Sequence, residues 1–517
     1  MLHYIRAYVG SITGMFSNQG LDAIKREAEK GNADAQFKLG ATYAEGQGTA
    51  QNDTEAAKWF RMAAEQGHVN AQCNLGTLCA EGRGLTKSDK EAVKWFRLAA
   101  EKGNADAQCN LGTMYAEGRG VPRNYTEAEK WYRIAVEQGN AGALFCLGKM
   151  YFLGEGIAQD YMEAGKRFKK AAEQGYAEAQ FFLGVMYAEG RGIVKNDVEA
   201  EKWYHLAAES GHVDAQFSLG RIHAEGRGVT KNDTEAVKWY RLSAKQGNVH
   251  AQNSLGMMYD EGKGIAQNYT EAEKCYRTAA EKGLAEAQFN LGAMYAEGHG
   301  VTQNYTETLK WYRMAAENGH ADAQFNLGRM HAKGLGTDKN EAEAVKWYRM
   351  AAEQGDLHAQ VILGEMYAKG RGVAKNEVEA VRWYHSAAKQ GYAEAQHILG
   401  QMYADGRGVT KNDTAALKLY SMAAKQGYAG AQYSIGFMYA EGRGVPQNHT
   451  EAMKLYRLAA ENGYAEAQYN LGVMYFFGQG VERDDTEAEK WYRMAAEKGN
   501  TKAQHGLEDM KKRHQKP

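Results

Sequence analysis

The sequence repeats every 36 residues, and this period constrains the fold more than any other feature of the chain. The stretch from Asn32 to Gly67 is followed by twelve further copies without an insertion or deletion. The position of Leu39 holds leucine or isoleucine at every step through Leu507. A fixed period of roughly 20 to 50 residues is typical of a solenoid, in which each unit buries its apolar face by stacking on its neighbours. We therefore predict one repeat array rather than the roughly three globular domains that length alone suggests.

Each unit predicts two helices. Ala35, Leu39 and Tyr43 are spaced four residues apart and form an apolar stripe of helical period, which predicts a first helix, helix A. A second stripe that includes Trp59 predicts helix B, and all nine tryptophans of the chain occupy this position of the repeat. Asn52 is placed to cap helix B, and glycines follow both helices, where the chain needs a positive φ to turn. The predicted fold class is all-α.

Helix A contains an unexpected glycine, Gly40, which recurs at the same position in all thirteen units. Glycine inside a helix costs about 1 kcal/mol relative to alanine. Its presence in every unit indicates that another helix approaches too closely for a side chain. We predict that the neighbour is the aromatic residue of helix B, which is Phe60 in the first unit.

The repeat resembles that of the Sel1-like repeat family over about residues 20 to 513. The third unit carries the family pattern at Ala107, Leu111, Gly112, Tyr115, Gly118, Gly120, Val121, Ala128, Trp131, Tyr132, Ala135 and Gly139. The resemblance implies an α/α superhelical solenoid of about 13 helix-turn-helix repeats of 36 residues, related to tetratricopeptide repeats. It also implies an adaptor or scaffold for protein complexes, often in signalling or envelope processes. This functional expectation rests on kinship rather than on the residues themselves.

The repeat boundaries divide the chain into four parts. Residues 1–19 do not match the repeat, residues 20–31 form a half-repeat cap, residues 32–499 hold the thirteen repeats, and residues 500–517 form a C-terminal capping helix with a basic tail. The first segment is too interrupted by polar residues and glycine for a membrane span of about 20 apolar residues. We interpret it as a frayed or capping helix, with a targeting signal as the alternative.

Repeat four, Asn140 to Gly175, departs most from the pattern. Leu144 replaces a glutamine found in every other unit, and Arg167 stands at the tryptophan position. We expect the solenoid to be least regular here. Two pairs of bulky apolar residues, Phe152-Leu153 and Phe476-Phe477, precede glycine turns where most units have Ala-Glu. We favour local repacking over a docking patch for both pairs.

Charge and cysteine usage narrow the class of partner. The 63 basic and 64 acidic residues give a formal net charge of -1, so there is no overall basic field for nucleic acid or an anionic membrane. The five cysteines lack the paired spacing that staples each repeat in some secreted relatives. A reducing, cytoplasmic location fits this usage, with export as the alternative if the N-terminus acts as a targeting signal. We expect protein or peptide partners and leave the oligomeric state open.

No residue pattern predicts catalysis. No cysteine and histidine cluster has the spacing of metal ligands, and no nucleophile is paired with a base, so we expect no metal, no cofactor and no enzymatic activity. The thirteen units also carry no inserted loop of the kind on which catalytic residues concentrate. The alternative, taken from disulfide-rich Sel1-like relatives, is a β-lactamase-like hydrolase.

The remaining candidate is a binding surface on helix A. A second helical stripe runs through Asp34, Lys38, Ala41 and Glu45, and helix A lines the concave face in related two-helix solenoids. Unlike the packing positions, this stripe varies between units, which is where specificity can reside. We predict a non-catalytic scaffold that binds peptide segments or partner domains there, with solvated polar positions as the alternative interpretation. The candidate residues are Asn74, Asn110, Arg221, Asn290, Asn326, Arg329 and Asn470.

Overall fold

The computed structural model describes the backbone of residues 18–514 and the side chains of residues 20–511. Residues 1–17, on which the targeting alternative rests, and most of the side chains of the basic tail therefore lie outside the described residues. Within the described range the chain forms 28 helices and no strand, which confirms the all-α prediction. None of these helices combines the length and apolar character needed to cross a bilayer.

Each repeat contributes two helices of 13 residues, and one further helix stands at each end of the array. The terminal helices are α1 Asn18–Glu29 and α28 Thr501–His514. Helices A are α2 Ala33–Glu45, α4 Val69–Glu81, α6 Ala105–Glu117, α8 Ala141–Leu153, α10 Ala177–Glu189, α12 Val213–Glu225, α14 Val249–Glu261, α16 Ala285–Glu297, α18 Ala321–Lys333, α20 Leu357–Lys369, α22 Ala393–Asp405, α24 Ala429–Glu441 and α26 Ala465–Phe477. Helices B are α3 Asp53–Glu65, α5 Asp89–Glu101, α7 Tyr125–Glu137, α9 Tyr161–Glu173, α11 Asp197–Glu209, α13 Asp233–Lys245, α15 Tyr269–Glu281, α17 Tyr305–Glu317, α19 Glu341–Glu353, α21 Glu377–Lys389, α23 Asp413–Lys425, α25 His449–Glu461 and α27 Asp485–Glu497.

The helices group into two compact units, with the boundary between Gln267 and Asn268 inside the seventh repeat. The first unit contains α1 to α14 and the second contains α15 to α28. Within each unit a helix packs mainly against the helices immediately before and after it in the chain. This nearest-neighbour packing is characteristic of a solenoid.

Helix ends follow the predicted capping chemistry. The side chain of Asn52 accepts hydrogen bonds from the backbone N–H groups of Thr54 and Glu55 at the start of α3. Gly46 ends α2 in the left-handed region, with φ of 70°, and its N–H donates to the carbonyl of Thr42. These bonds satisfy backbone groups that a helix terminus otherwise leaves unpaired.

The glycine inside helix A lies against the aromatic ring of helix B, as predicted. A Cβ built on Gly40 would lie 2.7 Å from a ring carbon of Phe60, and one on Gly292 would lie 2.6 Å from a ring carbon of Tyr312. Both distances are far shorter than normal carbon contacts of about 3.5 to 4.0 Å. The glycine therefore sets how closely the two helices of a repeat pack.

The tryptophan of helix B joins three helices. Trp239 on α13 packs in one buried cluster with Ala207 and Ala208 on α11 and with Leu219 on α12. Trp347 on α19 makes the equivalent contacts with α17 and α18. Each indole thus covers the alanines of the preceding helix B and the leucine of its own helix A, which ties one repeat to the one before it.

A buried glutamine forms a second tie between repeats. The amide Nε2 of Gln324 donates to the carbonyl of Ala316 in the preceding helix B, at 3.0 Å, and its Oε1 accepts from Nε2 of Gln354, at 2.7 Å. We call this pair of bonds the glutamine relay. The bond to the preceding helix also forms from Gln36, Gln72, Gln108, Gln180, Gln216, Gln252, Gln288, Gln360, Gln396 and Gln468.

Candidate functional site

All seven predicted groove residues lie on helices A, but they differ in exposure. The five asparagines are half-buried, whereas Arg221 and Arg329 are exposed. The first unit holds Asn74, Asn110 and Arg221, and the second holds Asn290, Asn326, Arg329 and Asn470. Asn326 and Arg329 are three residues apart on α18, a spacing that places them on one face of the helix.

Some of the asparagines hydrogen-bond within the chain. Burial raises the pKa of Tyr456 and of Tyr433, and a hydrogen bond with Asn470 opposes each increase. Burial likewise raises the pKa of the Cys73 thiol to about 12, against an opposing hydrogen bond with Asn110. The asparagine of helix A therefore uses part of its hydrogen-bonding capacity at the joint between successive repeats.

The two arginines present charge at the surface. Nε of Arg221 lies 3.9 Å from Oε1 of Glu225, one turn further along α12, and the Arg221 side chain is 50% exposed. Burial raises the pKa of Tyr312 and Tyr348 to about 12, and the charge of nearby Arg329 opposes both increases. Arg329 therefore lies close to the aromatic position of two successive helices B while remaining exposed.

The paired apolar residues before the glycine turns divide between core and surface. Phe152 is 7% exposed and packs against the rings of Tyr161, Phe168 and Phe182, with centroid distances of 5.2 to 6.1 Å. Phe476 is equally buried. Their neighbours Leu153 and Phe477 are 46% and 59% exposed. The first residue of each pair is therefore part of the core, which agrees with local repacking. The second residue of each pair is a single exposed apolar side chain.

A cleft of about 550 Å³ lies beside repeat four in the first unit. Sequence reasoning singled out Leu144 and Arg167 as departures but did not predict a cavity. Both departures lie at one joint, where the tryptophan and the glutamine relay are absent together. We call this site the Arg167 cleft, and its lining residues are Val136, Leu144, Glu163, Lys166, Arg167, Lys169, Lys170 and Glu173.

Arg167 folds back along its own helix instead of covering the preceding repeat. Its Nη1 donates to the carbonyl of Glu163 and pairs with the Glu163 carboxylate, while its guanidinium carbon lies 4.7 Å from the ring centre of Tyr151. Nζ of Lys166 also lies 2.7 Å from the Glu163 carboxylate. Hydrogen bonds from Lys166 and Arg167 lower the pKa of Glu163 to about 2, so this carboxylate is charged at neutral pH.

A second cleft, of about 500 Å³, lies in the second unit, at a repeat that has tryptophan at the usual position. Trp383 is half-buried there, and its indole N–H has no hydrogen-bond acceptor. The charged lining residues comprise two arginines and two glutamates, so the cleft is balanced in charge. We call it the Trp383 cleft, lined by Arg349, Glu353, Tyr367, Glu379, Arg382, Trp383 and Ser386.

Within the described part of the chain, cysteines and other potential metal ligands form no metal-binding cluster. Among the described residues no group of three or more histidines, cysteines, aspartates or glutamates is placed to hold a metal ion. None of the five cysteines forms a disulfide. A hydrogen bond between Cys109 and Cys146, on the helices A of repeats three and four, raises the pKa of Cys109 and lowers that of Cys146. The sequence signal for this pair was their adjacent positions in consecutive repeats.

Comparison with known proteins shows which protein family has the same repeat. A family model described as the Sel1 repeat matches thirteen consecutive segments, at residues 33–68, 69–104, 105–140, 141–176, 177–212, 213–248, 249–284, 285–320, 321–356, 357–392, 393–428, 429–464 and 465–500. No curated protein sequence matches the chain.

Solved structures include similar proteins. One is c5321, described as a protective antigen present in uropathogenic Escherichia coli strains displaying an SLR fold. It is 33% identical, with a TM-score of 0.66, over 94% of this chain and 97% of that chain. A Sel1 repeat protein from Oxalobacter formigenes is also 33% identical, with a TM-score of 0.45, over 61% of this chain and 92% of that chain. With thirteen matched repeats and a similar structure along nearly its whole length, the chain belongs to the Sel1 repeat family.

Proposed function

We propose that the chain is a non-catalytic scaffold or adaptor that binds peptide segments or partner domains on the surface formed by its helices A. Sel1-repeat solenoids are commonly protein-interaction scaffolds, and the fold is typically non-catalytic. The observation that carries the proposal is α18, which keeps its buried packing residues while presenting the exposed Arg329 beside the half-buried Asn326. A variable polar pair on an otherwise uniform helix is where partner specificity can reside.

The test replaces Asn290, Asn326 and Arg329 by alanine in the full chain. Partners are captured with the unaltered protein, purified, and titrated against both proteins by calorimetry. Each lost hydrogen bond to a partner is worth about 0.5 to 1.5 kcal/mol, so affinity should fall by about tenfold or more. A control variant, Lys310→Ala with Arg313→Ala, alters helix B of the repeat that holds Asn290.

The result is interpretable only if folding is intact, so the melting temperatures of all three proteins are compared. Equal affinity of the triple variant and the unaltered protein for every purified partner would rule out this surface. Turnover of a β-lactam by the purified protein would instead support a hydrolase. We further propose a cytoplasmic location, because five cysteines that form no disulfide suit a reducing compartment. Cell fractionation tests that location.

A further inference from the structure

We propose that the Arg167 cleft is a second binding site, which takes an acidic peptide segment of a partner protein and accommodates an aromatic side chain of that segment. The site lies on helix α9 in the first unit and shares no residue with the helix-A surface proposed above. Its occupant follows from two features, a missing indole and an excess of positive charge.

The missing indole leaves an apolar surface that other repeats cover. Trp203, one repeat later, packs with Ala171, Ala172 and Leu183 in a single cluster. In repeat four the equivalent residue is Arg167, which turns towards Glu163 and Tyr151. Val136, which occupies the alanine position of the preceding helix B, is half-buried and lines the cleft, and Leu144 beside it is 4% exposed. An aromatic ring entering from outside would contact the surface that an internal tryptophan contacts elsewhere.

No other repeat has a charged residue at the tryptophan position. Where tryptophan is absent, the residues are apolar, namely Cys275, Leu419 and Leu455. Leu144 also removes the glutamine relay, because leucine has no amide to donate to the preceding helix. The joint between repeats three and four thus lacks both ties at once, and no indole of this repeat occupies the Arg167 cleft. Its volume, about 550 Å³, is within the range of ligand pockets.

The charge at the rim favours an acidic occupant. Four basic residues line the cleft against two glutamates, Glu163 and Glu173. Lys166 and Arg167 both pair with Glu163, whereas Lys169 and Lys170 form no ion pair among the described residues and are exposed. Carboxylates that flank the inserted ring would lie near these two lysines. Opposite charges across an interface accelerate association and exclude wrong partners.

A peptide fits these features better than a nucleic acid. Nucleic-acid binding usually requires a basic surface that follows many phosphates, and the chain as a whole has a formal net charge of -1. The Arg167 cleft instead combines four basic side chains on one helix with one half-buried apolar residue, Val136. The Trp383 cleft provides an internal comparison, because it retains its indole and has equal numbers of arginine and glutamate.

The experiment measures fluorescence anisotropy with the full chain and a labelled peptide, Glu-Asp-Glu-Trp-Glu-Asp-Glu. We expect binding that weakens at least about tenfold when the peptide tryptophan is replaced by glycine, since aromatic anchors dominate small interfaces. Binding should also weaken as NaCl is raised from about 50 mM to about 500 mM, because salt screens exposed charges. A single-stranded oligoribonucleotide of similar charge serves as the competing probe.

Three protein variants identify the site. Arg167→Trp fills the cleft with the residue found in other repeats, and Lys169→Glu with Lys170→Glu reverses the exposed charge without touching the core. Each should weaken peptide binding by about tenfold or more while the melting temperature stays the same or rises. Arg382→Glu, in the Trp383 cleft, should leave the affinity unchanged.

Several results would overturn the proposal. Absence of peptide binding, equal affinity for the glycine peptide, or undiminished binding to both folded variants would each exclude the Arg167 cleft as the site. Tighter binding of the oligoribonucleotide would assign the basic cluster to nucleic acid instead. The variant lacking Asn290, Asn326 and Arg329 should still bind the peptide, which separates this site from the helix-A surface.

Discussion

At the scale of single residues, the close approach of two side-chain positions decides how a repeat packs. The ring of Tyr312 lies over Gly292 so closely that even a methyl group would meet it at 2.6 Å. The same geometry recurs at Gly328 and Tyr348, at 2.8 Å. Interiors are packed to the density of organic crystals, so they have no slack to accommodate a larger group.

Replacing Gly292 by leucine should therefore destabilise the second unit. The new side chain is forced into the Tyr312 ring, and overpacking of this kind costs about 1 to 3 kcal/mol. Lys310→Ala, which trims an exposed side chain on the adjacent α17, should change the free energy of unfolding by less than about 0.5 kcal/mol. Urea unfolding followed by circular dichroism compares the two. Identical midpoints for the variants would contradict the role assigned to the glycine.

His397 should make the stability of the second unit depend on pH. It is 7% exposed, its Nε2 lies 3.0 Å from Oγ of Ser434, and it packs against Tyr420 and Tyr428. Burial lowers its pKa to about 4. The unfolded chain binds a proton at this histidine near pH 6.5, whereas the folded chain does so only near pH 4. The free energy of unfolding should therefore fall as the pH drops through this window.

The measurement compares urea unfolding at pH 7.5 and pH 4.5 for the unaltered chain and for His397→Gln. We expect the glutamine variant to lose about 1 to 3 kcal/mol less over this interval, because it has no ring to protonate. His505→Gln, at an exposed position on α28, is the matched control and should behave like the unaltered chain. The same loss in all three proteins would show that His397 does not carry the effect.

The residue contacts that the sequence predicted are those that recur in every repeat. The Gly40 contact with Phe60 and the capping by Asn52 were predictable because thirteen copies report the same constraint. The hydrogen bonds of Asn470 and the contact of Cys109 with Cys146 were not. They depend on how one repeat is rotated against the next, and a period of 36 residues contains no information about that angle.

At the scale of helices, repeats are joined by a small set of side-chain ties. Besides the indole and the glutamine relay, turn arginines pair with the first acid of the preceding helix B. Nη2 of Arg119, for example, lies 2.8 Å from Oδ1 of Asp89. Equivalent pairs are Arg83 with Asp53, Arg227 with Asp197, and Arg443 with Asp413. These pairs are partly exposed, so each contributes less than the buried ties.

Loss of one glutamine relay should weaken the second unit measurably. Gln324→Leu removes the buried hydrogen bond to the carbonyl of Ala316, which still accepts from the N–H of Gly319, and leaves the exposed side chain of Gln354 to bind water. A hydrogen bond of this kind contributes about 0.5 to 1.5 kcal/mol, and the free energy of unfolding should fall by about that amount. Gln504→Leu is the matched control, because Gln504 occupies the same position of the repeat on α28 but is exposed. Chemical unfolding at one pH measures both variants, and equal stabilities would argue against the relay.

At the scale of the whole molecule, stability in a repeat array is approximately a sum of repeat and interface contributions. An interface that lacks its ties therefore lowers the stability of the array at one place rather than along its whole length. The joint between repeats three and four is such an interface, since Leu144 and Arg167 replace both buried ties there. The sequence predicted that irregularity would concentrate in repeat four. It did not predict an open cleft. The direction in which Arg167 turns depends on its contacts with Glu163 and Tyr151, and both of these residues are the usual ones at their positions of the repeat.

Restoring both ties should remove this weak point. In the double variant Leu144→Gln with Arg167→Trp, the new amide can donate to the carbonyl of Val136 and the indole can cover Val136 and Leu147. We expect amide hydrogens of α7 to α9 to exchange more slowly and the free energy of unfolding of the first unit to rise by about 1 to 3 kcal/mol. Hydrogen exchange read by mass spectrometry resolves the change by segment, and amides of the second unit should be unaffected. Because the two substitutions share one interface, their effects should not simply add. Unchanged exchange in α7 to α9 would mean that other contacts hold this joint closed, and the Arg167 cleft would then be a rigid cavity rather than the site of weakest packing.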